Sequence, residues 1–229
     1  MDFAAIETAT EWCSVAVWRS GEIVSLERRA GPRQGEFVLP MLDELLKRVH
    51  LKPAKLHAIA YGAGPGAFTG LRIACGVAQG LAFAHGLPVL GVSTLEAAAE
   101  DSGADRAFVA LDARMNEVYY AAYRRRADDA GWHALHPARC ASPDEVEPPE
   151  DEGWLGCGSG FSAYPGRIEA RLAGRLMRVA PEIRPSALAV ARLAAPRLER
   201  GEGMEAAEAV PHYVRDKIAL TSVEQAERR

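Results

Sequence analysis

The sequence predicts an α/β protein of two lobes that repeat one unit. The first lobe is assigned to residues 1–103 and a smaller second lobe to 104–185, with a C-terminal helix and tail over 186–229 placed to return to the first lobe. Three observations lead there. Residues 1–103 read as β-β-β-α-β-α-β-α. The pattern strand, acid, turn, strand at Ile6-Glu7-Thr8 recurs at Leu111-Asp112-Ala113, a weak internal repeat. The 229 residues are 48% hydrophobic and 25% charged, enough to build a core of ordinary size.

Phe3–Ile6 is an apolar run that predicts a buried strand, followed by the polar turn Thr8–Glu11 and a second strand, Ser14–Trp18. Ser20-Gly21 makes a tight turn into a third strand, Ile23–Arg28, which completes an antiparallel meander. The period then changes. Phe37, Val38, Met41, Leu42, Leu45, Leu46 and Val49 recur at helical spacing, with Pro40 read as lying in the first turn. Lys52-Pro53 ends that helix, and His57–Tyr61 predicts a buried strand. A glycine-rich loop over 62–70 opens a helix to His85, capped by Gly86. Pro88–Gly91 is a short strand, and Ser93 with Glu96 three residues on forms a capping box for a helix through Ala99.

The second lobe opens with strands Ala107–Leu111 and Val118–Tyr123 around the turn Ala113–Asn116. Beyond them the pattern erodes. Pro143–Pro149 is acidic and proline-rich with room for one short helix, Trp154–Cys157 is a strand feeding Gly158-Ser159-Gly160, and a helix capped by Ser186 spans 186–200. The polar tail from Asp216 is expected to fray or to order on a partner.

Net charge is −4, and each half of the chain nets −2. Neither half can grip a polyanion by charge alone, which argues against a stand-alone nucleic-acid-binding module. The densest basic run, Arg124-Arg125-Arg126, reads as a solvated strand end. Cys13, Cys75, Cys140 and Cys157 lack metal-ligand spacing and read as buried free thiols of a reducing compartment. With no basic leader and no long uninterrupted apolar helix, the chain is expected in the cytoplasm, away from membranes.

Three segments carry a resemblance to a known family: Ile6–Ala16, Gly62–Ile73 (Gly-Ala-Gly-Pro-Gly-Ala-Phe-Thr-Gly-Leu-Arg-Ile) and Leu111–Tyr119. Gly91–Leu95 and Pro211-His212-Tyr213-Val214-Arg215 add to it. On these segments the chain resembles the TsaB family. The resemblance implies the actin-like, sugar-kinase-like and Hsp70-like fold, two duplicated lobes around a cleft. It also implies a non-catalytic role beside a TsaD-like catalytic subunit and a TsaE-like ATPase. That assembly threonylcarbamoylates adenosine 37 of tRNAs reading codons that begin with A, with ATP, Mg²⁺ and the catalytic metal belonging to the partners and tRNA met only through the complex.

Catalytic relatives hold a metal through two histidines four residues apart. The matching positions here are Thr94 and Ala98, which supply no imidazole, and no His-x-x-x-His occurs anywhere. His133 and His136 are expected to be exposed. The metal site, the catalytic role and the glycoprotease label of the wider family are rejected on that ground. Glu7, Thr8 and Asp112 are the nucleotide-site candidates, although Glu7 stands where the family usually carries Asp, and capping of the turn is the favoured role for Glu7 and Thr8. An internal ion pair is expected between Asp112 and Arg114. Gly62, Gly64, Pro65, Gly66, Phe68, Thr69, Gly70 and Arg72 match neither a Walker loop nor the Gly-x-Gly-x-x-Gly fingerprint and are read as a structural loop. Arg72 is left open between an acidic neighbour and phosphate. No cofactor of the chain's own is expected.

The surface expected to meet another subunit comprises Phe37, Leu39, Leu42, Leu45, Leu46 and Val49 on the first helix and Leu71, Ala74, Ala78, Leu81 and Ala82 on the second. Small-residue rows Ala74-Ala78-Ala82 and Gly76-Gly80 favour close helix approach. The resemblance implies a homodimer alone and a heterodimer with the catalytic subunit, and Ala78→Glu is expected to weaken it. The competing reading is a small actin-like-fold phosphotransferase using Glu7, Asp112 and Gly156–Gly160.

Overall fold

The computed structural model describes residues 1–127 and 131–215. The tail from Asp216 lies outside the described residues. In chain order the elements are β1 (Asp2–Glu7), β2 (Trp12–Arg19), β3 (Glu22–Arg29), α1 (Gln34–Arg48), β4 (Ala58–Gly64), α2 (Phe68–His85), β5 (Val89–Ser93), α3 (Thr94–Ser102), β6 (Arg106–Arg114), β7 (Glu117–Arg125), β8 (Trp132–Ala134), β9 (Arg139–Ala141), β10 (Trp154–Cys157), α4 (Ser159–Ala163), α5 (Arg167–Arg171), β11 (Leu176–Ala180) and α6 (Ala187–Glu199).

Duplication is visible in the sheets. The first has the order β3-β2-β1-β4-β5 and the second β8-β7-β6-β10-β11, with β9 also on β7. In each, an antiparallel hairpin (β1–β2, β6–β7) is extended by two parallel strands (β4 and β5, β10 and β11). The second copy is reduced. A single 3₁₀ turn, Pro143–Glu145, precedes β10 where the first copy has α1, and two five-residue helices replace α2.

The final helix of each unit crosses to the other. α3 packs on β6, β7 and β10, while α6 packs on β1, β2 and β4. Alternation along the strands fills three cores from two sheets, because successive side chains point to opposite faces. Phe3, Ala5, Ala60 and Leu90 join Val109, Leu111, α3 and α6 in the centre. Ala4, Ile6, Val15 and Val17 meet α1 and α2 on the outer face of the first sheet. Phe108, Ala110, Tyr120 and Trp154 meet α4 and α5 on the outer face of the second.

Caps fall where the sequence places them, with the Ser93–Glu96 box reduced to its Ser93 half. Gly86 is left-handed after α2 (φ 64°), Ser93 Oγ accepts the Glu96 N–H (3.4 Å) and Ser186 Oγ accepts the Ala189 N–H (3.2 Å). Two expectations change. α1 begins at Gln34, fed by a 3₁₀ turn at Gly31–Arg33, so Pro40 sits in the helix interior on an exposed face. There it withholds one N–H from the Glu36 carbonyl, which solvent can satisfy. The glycine-rich stretch is also half strand, since Gly62, Ala63 and Gly64 continue β4 and leave only Pro65–Ala67 as loop.

Arg124 pairs with Asp151 (2.7 Å), and Arg125 pairs with Glu100 (3.3 Å) while lying over the Trp132 ring. Cys13, Cys75 and Cys157 are buried free thiols, and Cys140 is half-buried. Among the described residues, no helix is long and apolar enough to cross a membrane.

Candidate functional site: the interlobe cleft and the outer helical face

Between the lobes lies a cleft of about 900 Å³, walled by Pro65–Leu71 on one side and Leu111–Met115 on the other. Of the three nucleotide-site candidates only Asp112 reaches it. Asp112 Oδ1 accepts the Arg114 N–H (2.9 Å) and the Tyr164 O–H (3.1 Å), and Oδ2 pairs with Arg114 (3.2 Å). The expected internal ion pair is present, and the carboxylate also faces the cleft.

Glu7 is sealed beneath the floor, 1% exposed. Its Oε1 accepts the Ala9 N–H (2.7 Å), and Thr94 donates its hydroxyl to Oε2 (3.3 Å). Burial pushes its pKa from 4.5 up to about 7, against the opposing pull of those two donors. Thr8, fully buried, donates its hydroxyl to the Gly70 carbonyl (2.7 Å). Thr8 therefore ties the β1–β2 turn to the first turn of α2, while Glu7 braces that turn and meets the first residue of α3, buried away from the cleft.

The glycines explain themselves by the same contact. A Cβ at Gly62 would overlap the Glu7 carboxylate, one at Gly66 would lie 2.6 Å from Ala9 Cβ, and one at Gly70 would overlap the Thr8 carbonyl oxygen. Gly64 is left-handed (φ 117°), and a Cβ there would lie 2.6 Å from the His212 carbonyl oxygen. Arg72 lies over the Phe68 ring (3.8 Å) and donates from Nε to the Tyr213 hydroxyl (3.1 Å). Thr69 and Pro65 line the cleft.

Thr94 and Ala98 are fully buried in α3. No group of three His, Cys, Asp or Glu side chains is placed to hold a metal ion among the described residues. His133 is exposed as expected, but His136 is half-buried with its ring edge against Tyr120 (5.5 Å), and burial lowers its pKa.

The subunit-facing surface needs the larger correction. Leu42, Leu45, Leu46, Leu71, Ala74, Ala78 and Ala82 are all buried in the chain's own core, so none of them is free to meet a partner. The alanine row seats α2 on the sheet, and Ala78→Glu would disrupt folding before it disrupted any dimer. Phe37, Val49 and Leu81 are half-buried, and Leu39 is exposed. The outward row is the other one: Gly76 and Gly80 have open space where a Cβ would stand, and Phe83 beside them is 85% exposed.

Comparison with known proteins follows the same lines. A family profile described as "TsaD: tRNA N6-adenosine threonylcarbamoyltransferase" matches residues 29–222. The chain is 35% identical to the tRNA threonylcarbamoyladenosine biosynthesis protein TsaB of Escherichia coli (strain K12), over 96% of each chain. It is 34% identical to the protein of the same name from Haemophilus influenzae, over 93% of each. Among solved structures it is similar to YeaZ from Pseudomonas aeruginosa, at 36% identity and TM-score 0.85, covering 93% of this chain and 99% of that one. The duplicated sheets with exchanged helices are the actin-like architecture that the resemblance implied. The chain belongs to the TsaB family of tRNA threonylcarbamoyladenosine biosynthesis proteins.

Proposed function

We propose that the chain is a non-catalytic partner subunit in threonylcarbamoylation of adenosine 37 of tRNAs reading codons that begin with A. It docks a TsaD-like catalytic subunit and, with it, a TsaE-like ATPase, in the cytoplasm, and it pairs with itself when alone. The observation that carries this is the outer face of α1 and α2, where Gly76, Gly80, Phe83 and Leu39 stand exposed on helices whose other faces already fill the core. Glycine rows let a second helix approach closely, and an exposed phenylalanine beside one is a natural anchor. Family membership and the side chains at positions 94 and 98 support the non-catalytic role. The net charge of −4 supports contact with tRNA through the complex. ATP, Mg²⁺ and a catalytic metal are assigned to the partners. The phosphotransferase reading is disfavoured because Glu7, its magnesium acid, does not reach the cleft.

The test mixes the chain with the catalytic and ATPase subunits of the same organism, tRNA, ATP and threonylcarbamoyl-adenylate, and quantifies modified adenosine by mass spectrometry. Product is expected only when the chain is present. Equal product without it would sink the proposal.

Gly80→Glu tests the face. The side chain enters open space in a helix, so monomer stability should hold or rise by up to about 0.5 kcal/mol. Self-association should weaken about 100-fold, because docking then buries an unpaired charge. Light scattering reads this, and unchanged mass at low micromolar concentration would move the interface elsewhere.

A further inference from the structure

The crossed helices are not the only connection between the lobes. After the 3₁₀ turn Ala206–Glu208 the chain runs along α2 and β4 and then crosses to the second lobe. On the first lobe it is pinned repeatedly. The Ala209 carbonyl accepts from Gln79 Nε2 (3.0 Å) and the Cys75 thiol (3.4 Å), the Tyr61 hydroxyl donates to the Val210 carbonyl (3.1 Å), and the His212 N–H donates to the Ala63 carbonyl (2.6 Å). Tyr213 then stacks on Phe68 with ring centres 5.6 Å apart.

On the second lobe the hold, among the described residues, rests on the Arg215 side chain. Arg215 pairs with Glu117 and donates to the carbonyls of Ala113 (3.1 Å) and Arg114 (3.4 Å). Its guanidinium fork suits several acceptors at once. The hairpin it holds is an unusual one: Arg114, Met115 and Asn116 are consecutive non-glycine residues with positive φ (61°, 53° and 61°), a conformation that surrounding contacts must sustain. This hairpin lies on one wall of the cleft, and Pro65–Leu71, where Tyr213 stacks on Phe68, is the other.

We propose that residues 209–215 are a latch that sets the opening of the cleft, with Arg215 as its clasp on the second lobe. Among the described residues, several bonds anchor the latch to the first lobe and Arg215 closes it on the second. Release therefore happens at Arg215, and the hairpin Arg114–Asn116, which keeps its own bonds to Asp112 and Arg167, is the part it loosens.

Hydrogen exchange by mass spectrometry on the full chain tests this, with the amides of β1 and β4 as internal reference. In Arg215→Ala, amides of residues 112–118 should exchange about tenfold faster while the reference is unchanged. Arg215→Lys, which keeps the charge but loses the fork, should fall between. Tyr213→Ala is the decisive variant, because it leaves Arg215 and its partners intact and loosens only the first-lobe anchor. A latch transmits that loss, so the same amides should accelerate. Acceleration in Arg215→Ala without any in Tyr213→Ala would reduce Arg215 to a local brace of the hairpin and overturn the proposal. So would unchanged exchange at 112–118, or an equal rise in both lobes.

Discussion

Gly70→Ala is expected to lower folding stability by at least about 3 kcal/mol, read as a shift in urea midpoint at constant slope. The methyl group would overlap the Thr8 carbonyl oxygen, with the Thr8 carbonyl carbon at 3.0 Å and Gln34 Oε1 at 3.2 Å closing the other directions. The two nearest are backbone atoms that cannot swing aside, and the Gln34 side chain is itself tied through Nε2 to the Thr10 carbonyl. Thr8 belongs to the turn that leaves β1 at the centre of the first sheet, and its hydroxyl donates to the Gly70 carbonyl. Relief requires parting that turn from α2, which also strands a buried hydroxyl and adds about 1–3 kcal/mol to the cost of overpacking. Gly76→Ala, six residues along the same helix, supplies the contrast. Its Cβ meets open space, so the helix should gain about 1 kcal/mol. A loss below about 1 kcal/mol in Gly70→Ala would mean that the turn is pliable.

The contrast between these two glycines shows how far the sequence can be read. The meander, the long helices and their caps are local, and Phe3–Ile6, Ser93 and Gly86 declare them within a few residues. That α2 carries two rows of small residues is equally local. Which row meets the sheet is not, because helical spacing separates faces without naming their neighbours. The alanines turned inward, where each Cβ adds apolar contact, and the glycines turned outward. Glycines at 62 and 64 masked a strand for a related reason: they are there to admit Glu7 and the His212 carbonyl, partners distant in sequence. In the second lobe, five-residue helices α4 and α5 are too short to leave a period, and three-residue strands β8 and β9 leave no alternation. The clasp at Arg215 joins residues 98 apart in sequence, and no local pattern announces it.

Glu7→Gln is expected to stabilise the protein at pH 8 by about 3 kcal/mol and to leave it unchanged near pH 4. In the folded chain burial raises the Glu7 pKa from 4.5 to about 7, so the folded state holds this proton more tightly than the unfolded state does. Stability supplied by the neutral acid is therefore full below pH 4.5, falls as pH rises toward 7, and is gone above it. Glutamine keeps the shape without the charge. Its carbonyl can still accept the Ala9 N–H, and its amide can donate to the Thr94 hydroxyl, which turns from donor to acceptor. Asp101, raised by burial to about 6, acts in the same direction in both proteins. The difference between wild type and variant therefore reports Glu7 together with the small repulsion it shares with Asp101, and denaturant titrations at half-unit steps from pH 4 to 8.5 should trace it. A difference independent of pH would show that Glu7 does not ionise in this range. A variant less stable at pH 8 would show instead that the carboxylate is needed in its charged form. That would reopen Glu7 as the acid of a cation site, and with it the phosphotransferase reading, because a neutral buried acid that braces a turn has no use for its charge.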